Sequence, residues 1–109
     1  MAVKFDLEAL ILGALKAGPL HGYGILKVIR DEGDLVKAGE GQLYPVLHRM
    51  EDHGLIEGVW EPQENRPPRR VYSLTDKGTV ELDKQRAEFE RKSSAIARVL
   101  GLKPRSNPT

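Results

Sequence analysis

Between Met50 and Ile56 the hydrophobic period of this chain changes, and few folds accommodate that change. Leu43, Val46, Leu47 and Met50 recur at i, i+3, i+4 and i+7, the single apolar stripe of an amphipathic helix. Gly54 falls where a left-handed residue would stop that helix, and Leu55 can fold back onto Met50, the contact a Schellman stop favours. From Ile56 the period is two. Ile56, Gly58 and Trp60 alternate with Glu57, Val59 and Glu61, and Arg70, Tyr72 and Leu74 alternate with Val71 and Ser73, which predicts two strands. The intervening Pro62-Gln63-Glu64-Asn65-Arg66-Pro67-Pro68 reads as an extended loop, too long and proline-rich for a two-residue hairpin. A helix that feeds directly into a β-hairpin is thus the centre of the chain.

Two helices precede it. Leu7, Leu10, Ile11, Ala14 and Leu15 form a stripe from about Lys4 to Ala17, with Asp6 placed to cap it. Gly18-Pro19 ends that helix, because Gly accepts the left-handed stop and Pro cannot continue it. After a short link, a second helix runs from His21 or Gly22 to Glu32. It buries Ile25, Val28 and Ile29 or their neighbours; Gly33 closes it, and Asp34 to Gly39 connect onward. Pro45 is expected near the first turn of the central helix, where a missing N–H is tolerated.

After the hairpin, Thr75 caps a helix that starts Asp76-Lys77-Gly78 and continues to Leu100, where Gly101 stops it. Twenty-five helical residues span ~37 Å, more than is needed to cover a small domain. Its apolar residues are sparse: Leu82, Phe89 and Ile96 repeat every seven, with Ser93 and Leu100 between or beyond them. Such a narrow seam suits packing on another helix, as in a coiled coil, while Glu88 and Lys92 stand in the favourable i, i+4 order outside it. Lys103 to Thr109 reads as a disordered polar tail.

Composition narrows the function classes. At 109 residues, 39% hydrophobic and 30% charged, the chain suits one ordinary globular domain. Without cysteine it has no disulfide, thiolate metal site or cysteine nucleophile. No apolar run reaches the ~20 residues of a membrane span, and Asp6 and Glu8 at the start speak against a signal peptide, so a cytoplasmic location is expected. His48 and His53 lie five apart, off a shared helix face, and with His21 they make no metal site. No nucleophile elbow, P-loop or dinucleotide fingerprint is present. We expect neither enzyme activity nor a cofactor.

The outer face of the central helix carries Gln42, Tyr44, Pro45, His48 and Arg49. Arg can pair with guanine and Gln with adenine in a major groove; the same face could equally be a solvated helix surface. Tyr44 could reach a phosphate or pack on the neighbouring helix, and Tyr23 is ambiguous in the same way. Arg66, Arg69 and Arg70 place three cations in five positions, either as a phosphate-binding edge or as the charges that keep an edge strand soluble. The net charge of only +1 counts against a nucleic-acid module, which often carries a strong basic excess, so a case for DNA rests on where the charges sit. Trp60 is expected to pack locally.

Three helices, a hairpin and a long last helix make a mainly α fold with a small β-hairpin, a winged helix-turn-helix plus a long C-terminal dimerisation helix. Its expected parts are residues 1–74, a winged helix-turn-helix; 75–100, the dimerisation helix; and 101–109, the tail. Gly18-Pro19-Leu20-His21-Gly22-Tyr23, Gly41-Gln42-Leu43-Tyr44-Pro45-Val46-Leu47, Glu51-Asp52-His53-Gly54-Leu55-Ile56 and Tyr72-Ser73-Leu74-Thr75-Asp76-Lys77-Gly78 resemble, in order and spacing, the signature blocks of the PadR family of bacterial transcriptional regulators, in its compact form without an added C-terminal domain. The resemblance covers about residues 7 to 100.

The resemblance implies a homodimer, joined through the last helix and the first, that binds an inverted-repeat operator in double-stranded DNA, usually as a repressor. Gln42, Tyr44, Pro45, His48 and Arg49 would then enter the major groove. Arg66, Arg69 and Arg70 would be wing contacts, and His21, Gly22 and Tyr23 would lie near a phosphate. Leu7, Ile11, Leu82, Phe89, Ser93, Ile96 and Leu100 would form the dimer seam; related repressors hold small aromatic effectors between subunits, and the alternative for Leu82, Phe89 and Ile96 is plain dimer packing. Glu40 departs from the family pattern, which has Ser or Pro there; a carboxylate at that point weakens an N-cap. The alternative is a winged-helix protein-interaction module that turns the same face to a protein; a third reading, a small-molecule carrier without DNA activity, needs a large apolar dimer cavity.

Overall fold

The computed structural model describes residues 6–32 and 39–102. Its elements run α1 (Leu7–Ala14), β1 (Leu20–His21), α2 (Gly22–Asp31), α3 (Glu40–Asp52), β2 (Ile56–Gln63), β3 (Arg66–Leu74) and α4 (Asp76–Leu100). The fold is thus mainly helical, with a small antiparallel sheet of order β1-β3-β2. Gly33, most of the 34–39 connector, the Lys4 start of the first helix and the 103–109 tail lie outside the described residues.

One core joins the first three helices. Ile11, Leu12 and Leu15 from α1 meet Ile25, Leu26 and Ile29 from α2 and Leu43, Leu47 and Met50 from α3, and Leu55, Ile56, Tyr72 and Leu82 close the far side. On α2 the buried set is Gly22, Ile25, Leu26 and Ile29, so Leu26 takes the place expected of Val28, which is exposed. Leu20 and His21, immediately before α2, pair with Tyr72 and Val71 as a short third strand. Two residues are too few to show a period, and β1 is therefore absent from the sequence reading.

The ends of the helices follow their capping residues. Asp6 accepts the Glu8 amide at the start of α1, but that helix ends at Ala14, earlier than the expected Ala17. There Lys16 and Gly18 donate to the carbonyls three residues back, tightening the chain before the positive φ of Gly18. At the end of α3, Leu55 N–H donates to Met50 and Gly54 N–H to Glu51, with Gly54 at φ 74°; this is the Schellman pair of bonds. Its start differs from expectation. Gly39 is the N-cap and Glu40 the first helical residue, where a carboxylate complements the positive end of the helix dipole. Pro45 is correspondingly the sixth residue of the helix rather than part of its first turn. Its ring leaves the carbonyl of Gly41 without the usual donor, and Gly41 is exposed to solvent.

The hairpin also corrects the sequence reading. β2 and β3 run on through the prolines and meet in a two-residue turn, Glu64-Asn65, with Asn65 at φ 58°. The register changes between Glu61 and Gln63, which pair with Arg69 and Arg66. Pro62 thus stands opposite Pro67 and Pro68, a two-against-one bulge. Beyond Val71, where β1 ends, the hairpin is a two-stranded ribbon, and its free edges tolerate residues with no N–H to donate.

α4 starts inside this body and leaves it. Thr75 Oγ1 accepts the Gly78 amide and donates to the carbonyls of Gly54 and Leu55, while Leu82 is packed in the core. Beyond Leu82 no side chain of α4 is buried. Arg91 and Lys92 both pair with Glu88, the Arg91 hydrogen bond holding the Glu88 carboxyl below its ordinary pKa. The helix stops at Gly101, at φ 75°. No helix among the described residues is long and apolar enough to cross a membrane.

Candidate nucleic-acid interface

The outer surface of α3 follows from its buried stripe. Counting about 100° per residue, Tyr44, His48 and Glu51 lie along one edge of Leu43, Leu47 and Met50, and Gln42, Pro45 and Arg49 continue round the outside. All five residues expected to read DNA are exposed. Three of them fall into two neighbourhoods. Arg49 turns toward the start of α1, where its guanidinium is 3.8 Å from Glu8. Tyr44 and His48 face the hairpin.

Between that edge of α3, the start of α2 and the hairpin lies a cleft of about 650 Å³. His21, Gly22 and Tyr23 supply one wall, Tyr44, His48 and Glu51 a second, and Trp60, Pro68, Arg69, Arg70 and Tyr72 the third. Gly22 leaves room for Tyr44: a Cβ there would lie 2.9 Å from the Tyr44 hydroxyl and would push the ring aside. His21 is the N-cap of α2 and makes no side-chain cap bond; instead its ring stacks near Tyr23, centroids 6.4 Å apart. The first amides of α2 and the dipole behind them favour an anion.

The arginines are less free than their positions in the sequence suggest. Arg69 makes two hydrogen bonds to one oxygen of Glu61 on the facing strand, at 2.8 and 3.0 Å. Arg70 reaches α3, bonding the Glu51 carboxylate at 2.9 and 3.4 Å while its guanidinium lies 5.2 Å from the centre of the Trp60 ring. The Glu51 hydrogen bond raises the Arg70 pKa further above its ordinary value. Among the described residues, Arg66 at the hairpin turn has no ion pair. Glu51, Pro68 and Tyr72 line this face without having been expected there, as does Trp60, which is 63% exposed and not simply packed; Glu61 adjoins it through Arg69. Glu51 was detectable, being seven residues from Tyr44 on the same helix edge; Glu61 and Tyr72 require the strand register.

The residues expected at a dimer seam also separate. Phe89, Ile96 and Leu100 are 69%, 58% and 66% exposed on the single chain, with Val99 beside them at 88%. Leu7 and Ser93 are half-buried. Ile11 and Leu82 are different: both lie in the core of the chain itself, so neither offers a surface to a second copy. No group of three or more His, Asp or Glu among the described residues is placed to hold a metal ion.

The profile of the Transcriptional regulator PadR-like family matches residues 11–84. The chain is 36% identical over 77 residues to the negative transcriptional regulator PadR of Bacillus subtilis, an alignment that takes in 70% of this chain and 42% of that protein; the chain therefore spans less than half of that relative. Among solved structures, a PadR family transcription regulator from Clostridium difficile superposes with a TM-score of 0.77 at 28% identity, covering 86% of this chain and 97% of that one. Bacillus subtilis PadR in complex with operator DNA superposes with a TM-score of 0.68 at 35% identity, covering 72% and 44%.

Proposed function

This chain belongs to the PadR-like family of transcriptional regulators, and on that premise we propose that it is a repressor that binds an inverted-repeat operator in double-stranded DNA as a homodimer. The observation that carries the proposal is the convergence of α3, the start of α2 and the hairpin on one open face. In this reading α3 enters the major groove with Gln42, Tyr44, Pro45, His48 and Arg49, and the hairpin is the wing, with Arg66 on the neighbouring backbone. The α2 start, His21 to Tyr23, takes a phosphate. Bacillus subtilis PadR, a relative named as a negative regulator and crystallised on operator DNA, supports the same assignment.

Residues 1–74 form the DNA-binding unit and 75–100 the dimerisation helix. Phe89, Ile96 and Leu100 pack against the partner copy, and the exposed Phe89 ring gives a small aromatic effector a stacking surface at that seam. The work is cytoplasmic. Fluorescence anisotropy with labelled fragments from upstream of the chain's own gene tests the proposal. A specific complex that weakens steeply with salt supports it, and equal, weak binding to every fragment overturns it.

A second reading has an observation in its favour. Arg49, Arg69 and Arg70 each have a carboxylate partner, which reduces the positive potential of the face and suits a protein partner. An interaction module of that kind would show no salt-dependent DNA complex.

A further inference from the structure

Arg70 is held by three things at once. Its guanidinium bonds both oxygens of Glu51 on α3, lies over the ring of Trp60 on β2, and crosses Gly58, where a Cβ would come within 2.6 Å of Arg70 Nε. The side chains of the ion pair are only 29% and 21% exposed. The pair also sits at a critical place. β1 braces the sheet no further than Val71, so Arg70 is where the free ribbon begins, and the turn with Arg66 lies beyond it.

Resting on the DNA-binding reading above, we propose that Arg70 is a positioning residue and not a phosphate ligand: by clamping Trp60 and Glu51 it sets the angle between wing and recognition helix, and so determines whether the two can engage one operator together. A bidentate guanidinium fork fixes direction as well as distance. A two-stranded ribbon without that brace samples many orientations, and ordering it on DNA costs affinity.

The sign of one substitution separates the two roles. Glu51→Ala removes a negative charge from the face and releases Arg70. If Arg70 is a phosphate ligand, DNA binding tightens or holds; if it is a positioning residue, binding weakens, by about fivefold or more. Arg70→Lys keeps the charge but loses the fork, so positioning predicts that it is as defective as Arg70→Gln, and the Glu51→Ala/Arg70→Gln double variant is no worse than either single one.

Trp60 is the one tryptophan in the chain and gives a readout without DNA. On the free, folded protein, with melting curves as the control for folding, Glu51→Ala and Arg70→Gln should each make Trp60 fluorescence more accessible to acrylamide. Unchanged quenching in both overturns the clamp whatever the DNA result. Increased quenching together with undiminished DNA affinity in Glu51→Ala overturns the positioning role. A wild-type protein that binds no DNA, with quenching that still responds, overturns the DNA-binding reading and leaves the clamp as a feature of the fold alone.

Discussion

Gly78, in the first turn of α4, lies directly against the backbone carbonyl of Leu55, so closely that a Cβ on Gly78 would overlap it. That contact is the centre of a joint between α3 and α4. Thr75 shares its one hydroxyl proton between the Gly54 and Leu55 carbonyls, at 2.6 and 3.1 Å, and Lys77 Nζ donates to the His53 carbonyl at 2.6 Å. The end of α3 is therefore hydrogen-bonded to the start of α4. Gly78→Ala should destabilise the fold by about 1–3 kcal/mol, the usual cost of forcing extra volume into a closed contact. Thermal melting followed by circular dichroism measures it; a variant that melts with the wild type would show that the joint is looser than described.

Thr75→Ala tests the same joint by subtraction. It deletes the N-cap acceptor of α4 and both carbonyl contacts, and caps of this kind are worth about 0.5–2 kcal/mol. The variant should lose stability toward the upper end of that range, and Thr75→Ser should restore most of it. A loss with both residues alike would assign the effect to the threonine methyl group instead.

Tyr72 is buried beneath the Arg70 clamp, and that burial, reinforced by the Glu51 carboxylate, raises its phenol above the ordinary value of 10. In the unfolded chain the phenol ionises at that ordinary value. Above it the unfolded state releases a proton that the folded state retains, so the stability from Tyr72 is fully present below pH 10 and is lost as pH rises through the folded value. Near-ultraviolet titration of the folded protein should show a tyrosine step above 10 that is missing from Tyr72→Phe. If the same steps remain in that variant, the Tyr72 environment is misread.

Phe89→Asp bears on the seam. Phe89 is 69% exposed on the single chain, so an aspartate there costs the isolated fold little, whereas in a dimer seam it would be a buried, unpaired charge. Light scattering should show the wild type at twice the chain mass and the variant at once that mass, with helical content retained. A wild type already at the single-chain mass removes the dimer from the account.

Legibility in the sequence followed the range of the interaction. The stripe of Leu43, Leu47 and Met50, the stop at Gly54 and the Thr75 cap are contacts within a few residues, and each left a local pattern. The Glu64-Asn65 turn did not, because the prolines around it argue against strands unless the ribbon is known to have free edges. The partners of Arg69 and Arg70 were hidden for another reason: one depends on the pairing of two strands and the other on how the hairpin meets α3. Ile11 and Leu82 carry the same apolar signal whether they face the core or a partner, and only the packed chain separates the two.

Hydroxyl-radical footprinting of an upstream fragment, with the bound stoichiometry determined alongside, tests the central claim most directly. A two-fold dimer that presents two α3 helices to one duplex predicts two protein chains per site and two matched protected patches about one helical turn apart, ~34 Å. A single protected patch with one chain bound, or no protection at concentrations where the protein is a dimer, would contradict it.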